Sequence, residues 1–305
     1  MSWFLLALIA PFLYALTNQI DKALLEKYFK VSGVGTLIIF SGVLSVLALP
    51  VIYFFEPTVF SIGTKEMFLM LFVGVLNLTL LWAYLIALKD DEASIIVVFY
   101  QLVPVFAFIL GYYILGETIT KLQALAMAVI IFGTTLIAFE INDENNFRLK
   151  RKTVFFMLIA SSLWALESVI FKYVALEENV LRSLFWHNLA LVGAGLLVFT
   201  FIPKYRHHFL ESIKVNSKGI FSINIVNEII YMLANAIYAY AYMLAPIALV
   251  LLTNSFQPIF VFAIGVFMTL YFPHILSEKI EAKHLWQKGI ALIITGIGTY
   301  LLLGF

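Results

Sequence analysis

Ten apolar runs follow one another along the chain, and each is about as long as a helix needs to cross a bilayer, which is roughly 20 residues. They cover residues 3–22, 32–54, 67–88, 94–115, 122–139, 154–175, 184–203, 219–243, 246–271 and 285–303. The segments between them are short and polar. Charged residues make up only 12% of the chain, whereas soluble domains contain about 25%. We therefore predict an all-α polytopic membrane protein with ten transmembrane helices.

The ten runs divide into two similar halves. The segment LIAPFLYALTNQIDK (8–22) matches LIASSLWALESVIFK (158–172) at an offset of 150, and PVFAFILG (104–111) matches PIFVFAIG (258–265) at an offset of 154. This internal similarity predicts a duplication. The predicted units are a first five-helix repeat at residues 1–140, a polar connecting loop at 141–153 and a second five-helix repeat at 154–305. Because five is odd, the second repeat enters the membrane from the opposite face, as in the inverted repeats of secondary transporters.

Lys and Arg are distributed unequally between the two sets of loops. The loops after odd-numbered runs hold fifteen of them, including those of the stretch 204–218, and the loops on the other face hold four. Positive charge concentrates on the cytoplasmic side of membrane proteins. The count therefore predicts that the loops after odd-numbered runs lie in the cytoplasm and that both termini lie outside. The expected location is the plasma membrane.

Two ordered motifs carry a resemblance to a known family. In LVPVFAFILGYYILGETIT (102–120), an apolar run bearing a proline ends in a Gly-Glu pair, and FQPIFVFAIGVFMTLYFPHILSEKI (256–280) is its second copy, with Ser277 in place of the glycine. With the duplication, the chain resembles the EamA family of the drug/metabolite transporter superfamily. The resemblance implies a secondary carrier of small metabolites with a central cavity built by both repeats. It also implies cytoplasmic termini, against the charge count, so the direction of transport stays open.

The eighth run carries polar groups that lipid penalises. Asn224, Glu228, Tyr231, Asn235, Tyr238 and Tyr242 are spaced 4, 3, 4, 3 and 4 residues apart. This spacing places them on one face of a helix. Lipid cannot satisfy amide and carboxylate groups, so we expect this face to line the protein interior or a wet cavity. The alternative is that the amides only bond neighbouring helices.

Two carboxylates lie in the middle of apolar runs. Glu228 belongs to the polar face of the eighth run, and Glu167 lies in the sixth, one turn after Trp164. A carboxylate beside aromatic rings suits a cation, because the rings add a cation–π attraction. It also suits a proton, because burial disfavours the charged form. Glu167 and Glu228 are therefore candidates for proton coupling as well as substrate binding; for Glu167, a bond to Lys172 or to a facing amide is the structural alternative.

Other polar and aromatic residues complete the predicted site. Tyr14 and Asn18 occupy the first-repeat segment that matches Trp164 and Glu167, and Gln257 precedes Pro258, where a kink would expose polar backbone. Asp21 is expected at the membrane interface in a structural role. The predicted substrate-binding residues are Tyr14, Asn18, Trp164, Glu167, Asn224, Glu228, Tyr231, Asn235, Tyr238 and Gln257.

These features predict a carrier that works by alternating access, driven by a proton or another gradient. A small amine or amino acid is the expected substrate, and a quaternary, choline-like amine is the alternative; a membrane-embedded enzyme or a channel fits less well. The sequence contains no cysteine, no histidine pair with metal-ligand spacing and no phosphate-binding loop, so no cofactor, metal or catalytic residue is predicted. A net charge of +1 argues against nucleic acid, which leaves the substrate and the lipid bilayer as partners and the oligomeric state open.

Overall fold

The computed structural model describes residues 2–27, 33–90, 96, 99–138, 151–271 and 282–303, and within these ranges every regular element is a helix. The α-helices are α1 (Ser2–Lys27), α2 (Gly33–Leu44), α3 (Ala48–Phe55), α4 (Thr64–Asp90), α5 (Val103–Leu115), α6 (Lys121–Ala138), α7 (Arg151–Glu177), α8 (Val180–Phe201), α9 (Pro203–Tyr242), α10 (Ile247–Leu252), α11 (Gln257–Tyr271) and α12 (Ala282–Leu303). Short 3₁₀ turns lie at Ser45–Leu47, Val59–Ser61, Tyr100–Leu102 and Thr253–Phe256.

Seven helical stretches in the described part of the chain are long and apolar enough to cross a membrane. They are Trp3–Leu25, Val34–Phe55, Thr64–Lys89, Arg151–Glu177, Val180–Phe201, Gly219–Tyr242 and Ile247–Met268, and shorter apolar helices cover Tyr100–Leu115, Lys121–Gly133 and Ile293–Leu302. The prediction of an all-helical, multi-pass membrane protein is therefore confirmed. The count of ten transmembrane helices in two repeats stays a prediction.

The sequence suggested that Pro104 and Pro258 kink continuous helices. In the structure, each proline instead lies at the start of a helix. A 3₁₀ turn at Tyr100–Leu102 precedes α5, and another at Thr253–Phe256 precedes α11, so that Pro104 and Pro258 both lie in the first turn of a new α-helix. Proline is tolerated there because its missing N–H would have no partner within the helix in any case. Each proline therefore marks the point where a helix restarts.

The predicted loop at 204–218 is wrong, because this stretch belongs to α9, a continuous helix of 40 residues. Pro203 occupies its first turn, and no further proline follows before it ends. At 1.5 Å per residue the helix is about 60 Å long, whereas the hydrocarbon core of a bilayer is about 30 Å thick. Only Gly219–Tyr242 is apolar enough to span, and His207 and Glu211 pair across one turn of the polar extension at 3.1 Å.

The helices of the two halves pack in matching pairs. α1 packs against α9 and α4 against α7; likewise α2 packs against α9, and α4 against α8. Exchanging α1 with α7, α2 with α8 and α4 with α9 converts one set of pairs into the other. This packing is compatible with a duplication, and both the two repeats and their inverted relation stay predictions.

Two glycines allow α2 and α8 to meet backbone to backbone. A Cβ added to Gly42 would lie 2.7 Å from the Gly195 Cα, and one added to Gly195 would lie 2.8 Å from the Gly42 Cα. Small residues permit such close helix contacts in membranes. Ser41 precedes Gly42 in α2 and hydrogen-bonds to Glu228 of α9, so this contact helps to position α2 beside the polar face of α9.

Candidate functional site

A large cavity lies among α1, α2, α4, α7 and α9 and encloses about 790 Å³, a volume that includes its open mouth. Polar and aromatic side chains from both halves of the chain line it. Nine of the ten residues predicted from the sequence to bind substrate are among them: Tyr14, Asn18, Trp164, Glu167, Asn224, Glu228, Tyr231, Asn235 and Gln257. The fold thus brings these residues together, and their role in binding stays a prediction.

Glu167 is buried, with 7% of its surface exposed, and only one of its oxygens has a partner. The Asn77 Nδ2 atom donates to Oε1 at 3.1 Å. The other oxygen, Oε2, accepts no hydrogen bond from any residue that the structure describes. A bond from Glu167 to a facing amide, one of the two structural alternatives, is therefore present, but only at Oε1. The other alternative, a bond to Lys172, is not formed, because Lys172 pairs with Glu117 at 2.5 Å. Asn18 Nδ2 and Gln257 Oε1 in the same cavity also lack a partner among the described residues, but Oε2 is the one that belongs to an acid, and a buried charged group is costly without partners.

Aromatic rings line the same cavity as this carboxylate. The Tyr14 ring lies 5.5 Å from the Trp164 ring and 5.8 Å from the Tyr231 ring, and Tyr100 contacts Trp164 at 4.9 Å. The four rings come from α1, α7, α9 and the 3₁₀ turn before α5. The Tyr14 hydroxyl donates to the Asn235 side chain, which holds α1 against α9. The result is a wall of four rings beside an incompletely bonded carboxylate.

Glu228 has a different environment, because both of its oxygens are hydrogen-bonded. Ser41 Oγ donates to Oε2 at 2.8 Å and Ser45 Oγ donates to Oε1 at 3.2 Å. Both serines belong to the α2 side of the cavity, where they follow one another at a spacing of one turn. The two acids predicted from the sequence are thus not equivalent. Both oxygens of Glu228 are hydrogen-bonded within the protein, whereas Oε2 of Glu167 is available to another group.

Asp21 is a third carboxylate in the cavity, although the sequence suggested an interfacial position. It is buried, with 9% of its surface exposed, and accepts a hydrogen bond of 2.7 Å from Asn227 Nδ2. The sequence analysis also missed Asn77, Ser41 and Tyr84, which line the same cavity. Asn77 could have been found, since it is an amide in the middle of the apolar third run. Ser41 gave no such signal, because membrane helices accommodate serine without a functional role.

Tyr238 is the one predicted residue that does not line the large cavity. It is completely buried, its hydroxyl lies 3.2 Å from Thr253 Oγ1, and its ring stacks on Tyr242 at 5.8 Å. Its ring also lies 5.7 Å from Tyr14. Tyr238 therefore packs against Tyr14 from outside the large cavity. The spacing along α9 could not distinguish this position from one in the cavity wall.

Ion pairs cluster at one end of the bundle. Lys172 of α7 pairs with Glu117, which follows α5, and Arg182 of α8 pairs with Glu178 at 3.0 Å and with Glu56 at 3.7 Å. We call this group of five residues the ion-pair end. Two residues that line the large cavity lie toward the opposite end of the bundle: Asp21 near the end of α1, and Leu37 near the start of α2. The large cavity therefore extends from the middle of the bundle away from the ion-pair end.

Residues 1–139 match the EamA-like transporter family. A stretch of 175 residues is 30% identical to protein LicB of Haemophilus influenzae, and since the match covers 56% of each protein, it spans about half the length of this relative. A solved crystal structure aligns over 95% of both chains with a TM-score of 0.59 and 14% identity, which shows a shared fold. The match over residues 1–139 covers a little under half of the chain and agrees with the resemblance that the motifs carry.

Proposed function

We propose that the protein is a secondary carrier of a small metabolite that bears a positively charged amino group, most simply a primary amine or an amino acid. The family match and the membrane-length helices support a transporter. The observation that carries the choice of substrate is the free Oε2 atom of Glu167, which lies within a wall of aromatic rings. The amino group of a substrate would provide this atom with a charged hydrogen-bond donor.

The charges in the large cavity favour a cation. Among the described residues that line it are three carboxylates, Asp21, Glu167 and Glu228, and no Lys, Arg or His. A cation bound between them replaces the water that the carboxylates lose, and the rings of Tyr14, Trp164 and Tyr231 add cation–π attraction, which strengthens when the site is desolvated. An anionic substrate would meet uncompensated repulsion at the same position.

Transport then requires the site to open alternately to the two sides of the membrane. The large cavity lies between α1, α2 and α4 of the first half and α7 and α9 of the second, so a rocking of the halves would change its access. A proton or another gradient drives the cycle, with Glu167 and Glu228 as the groups that bind the proton. Competition between proton and amine for one carboxylate would couple their movements.

A quaternary amine is the second candidate, and the aromatic wall favours it. A choline-like headgroup has no N–H to donate, so it depends on ring faces more than on hydrogen-bond acceptors. The four clustered rings suit such a group, whereas the free Oε2 atom and the amides suit a primary amine. The two candidates therefore differ in how strongly binding depends on the rings and on the carboxylate.

Substrate-dependent thermal stabilisation of the purified protein tests this proposal. The panel contains a primary amine, choline, an amino acid, a nucleoside and a sugar, each measured with wild type, Glu167→Gln and the control Glu211→Gln, whose side chain is exposed on the polar extension of α9. We expect a cation to stabilise wild type and the control, and Glu167→Gln to lose the effect. Equal stabilisation of all three proteins by a neutral compound would refute a cation site at Glu167.

A further inference from the structure

Three residues line two cavities at once. Besides the large cavity, the described part of the chain forms a small cavity of about 330 Å³, and Trp164, Glu167 and Asn235 line both. Pockets that bind small molecules measure about 300–1,000 Å³, so the small cavity is large enough for a small metabolite. The Tyr14 hydroxyl donates to the Asn235 side chain at this position. These residues therefore form the partition between the two cavities.

Along α7, the small cavity follows the large one in the direction of the ion-pair end. Trp164 and Glu167 line both cavities, Ser168 and Phe171 line the small cavity alone, and Lys172 of the ion-pair end comes next. Ser168 and Lys172 are four residues apart and share one face of the helix. At 1.5 Å per residue, only about 6 Å of helix separates Ser168 in the cavity lining from Lys172.

The helices α8 and α9 give the same direction. On α9, Asn235 lines both cavities, Ala239 and Tyr242 line the small cavity alone, and Tyr242 is the last residue of the helix. On α8, His187 lines the small cavity and lies less than two turns after Arg182 of the ion-pair end. The small cavity therefore lies between the large cavity and the ion-pair end and continues the line of the large cavity toward it.

The lining of the small cavity suits a cation. The rings of Trp164, Phe171 and Tyr242 line it, and the last two lie 6.4 Å apart. Aromatic rings attract a cation, and more strongly where the site is desolvated. Glu167 contributes a carboxylate, and the described residues of this lining include no Lys or Arg. His187 is buried, and its Nε2 atom, which has no partner within the described part of the chain, is available for a hydrogen bond.

We propose that the small cavity is the next position of the substrate on its way across the membrane. The proposal rests on the proposed function. In this conformation the cation reaches Glu167 through the large cavity. When the halves rock, the Lys172–Glu117 pair opens, the large cavity closes, and the cation passes Trp164 and Asn235 into the small cavity and leaves at the ion-pair end. Because Glu167 lines both cavities, the same carboxylate holds the cation before and after the change.

Cysteine labelling tests this pathway, because the chain contains no cysteine of its own. Ala239→Cys probes the small cavity, and Leu81→Cys probes the large one. The matched control is Ala165→Cys, since Ala165 is a completely buried alanine of α7 that lines neither of these two cavities. Each purified variant is labelled in detergent with a cationic methanethiosulfonate reagent, both alone and combined with Lys172→Met/Glu117→Gln, which removes the ion pair.

Removal of the ion pair should have opposite effects on the two cavities. We expect it to accelerate labelling of Ala239→Cys about tenfold and to slow labelling of Leu81→Cys, because a shift toward the conformation open at one end closes the other. Ala165→Cys should stay unlabelled, which excludes a general loosening of the protein. Labelling of Ala239→Cys that does not rise would overturn the proposal. Faster labelling at both cavity positions would also overturn it, since the small cavity would then be reached through the large one. If Ala239→Cys does not fold, Val73→Cys, which probes the small cavity from α4, decides the outcome.

A transport measurement connects the small cavity to the substrate. Ala239→Leu fills part of the small cavity and should slow the exchange of labelled for unlabelled cation in liposomes about tenfold. The probe is choline or ethylamine, whichever stabilises the wild-type protein, and it should stabilise this variant equally, because the large cavity is unchanged. Exchange at the wild-type rate would overturn the proposal. If neither cation binds wild type, the proposed function fails, whereas the labelling result needs no substrate and still reports whether the small cavity opens at the ion-pair end.

Discussion

Lys172 and Glu117 form an ion pair of 2.5 Å that joins the two halves of the chain. The Lys172 Nζ atom also donates to the Ala245 carbonyl at 2.8 Å, and the other Glu117 oxygen accepts from the Ile247 backbone N–H at 2.7 Å. Glu117 is the acid of the Gly-Glu motif that carries the resemblance to the EamA family. The motif residue therefore fastens the end of α5 to α7 and to the start of α10 and lies outside the large cavity.

Replacing Lys172 with Met is expected to lower the free energy of unfolding by about 3 kcal/mol, because it leaves the partly buried Glu117 without its cation. The double variant Lys172→Met/Glu117→Gln should lose less than the single one, since it removes the unpaired charge. Unfolding in detergent, followed by tryptophan fluorescence, measures both. His207→Ala, which breaks an exposed pair, is the control and should have no measurable effect. A single variant as stable as wild type would show that the pair contributes nothing.

Gly116→Ala tests the turn that delivers Glu117 to this pair. Gly116 ends α5 with φ at 66°, and a Cβ added there would meet nothing within 4 Å. The cost is then the backbone conformation alone, about 1 kcal/mol. Gly193→Ala is the matched control, because Gly193 is helical and its added Cβ is also free of contacts. It should be neutral or slightly stabilising, and equal losses in the two variants would contradict the assigned role of the left-handed turn.

Asn77→Ala should weaken substrate binding about tenfold, which is the size of effect expected from one lost hydrogen bond to a charged group. Asn77 bonds both Glu167 and, at 3.0 Å, the Tyr231 hydroxyl, so its loss frees the carboxylate and one ring together. Titration calorimetry with the stabilising cation gives the dissociation constant. Thr79→Ala is the control, since the Thr79 hydroxyl bonds the Val75 carbonyl on the exposed side of α4. Equal affinity in Asn77→Ala and wild type would argue that Glu167 needs no positioning.

Two substitutions at Tyr14 separate its ring from its hydroxyl. Tyr14→Phe keeps the ring and loses the bond to Asn235, whereas Tyr14→Leu removes the ring as well. If ring faces attract the substrate cation, Tyr14→Leu should weaken binding by about 1 kcal/mol more than Tyr14→Phe. The difference should be larger for choline than for a primary amine, which also donates hydrogen bonds. Equal affinities in the two variants would show that the Tyr14 ring does not contribute to binding.

The sequence by itself determined that the chain forms membrane helices and which residues turn away from lipid. Helical periodicity placed Asn224, Glu228 and Tyr231 on one face of α9, and the cost of burying such groups in lipid required that face to turn inward. Both conclusions depend on neighbours within one helix, which periodicity reports directly. The same reasoning failed at 204–218, because a polar surface does not distinguish a loop from a helix that extends beyond the membrane.

Only the tertiary structure decided which inward-facing groups meet. Asn77 and Glu167 are 90 residues apart in the chain, and Asp21 and Asn227 are 206 apart. No local pattern encodes such partners, because they depend on how helices from the two halves rotate and slide against one another. This packing of the helices places Tyr238 behind the cavity wall and provides hydrogen-bond donors to Glu228. It leaves one oxygen of Glu167 without a partner among the described residues.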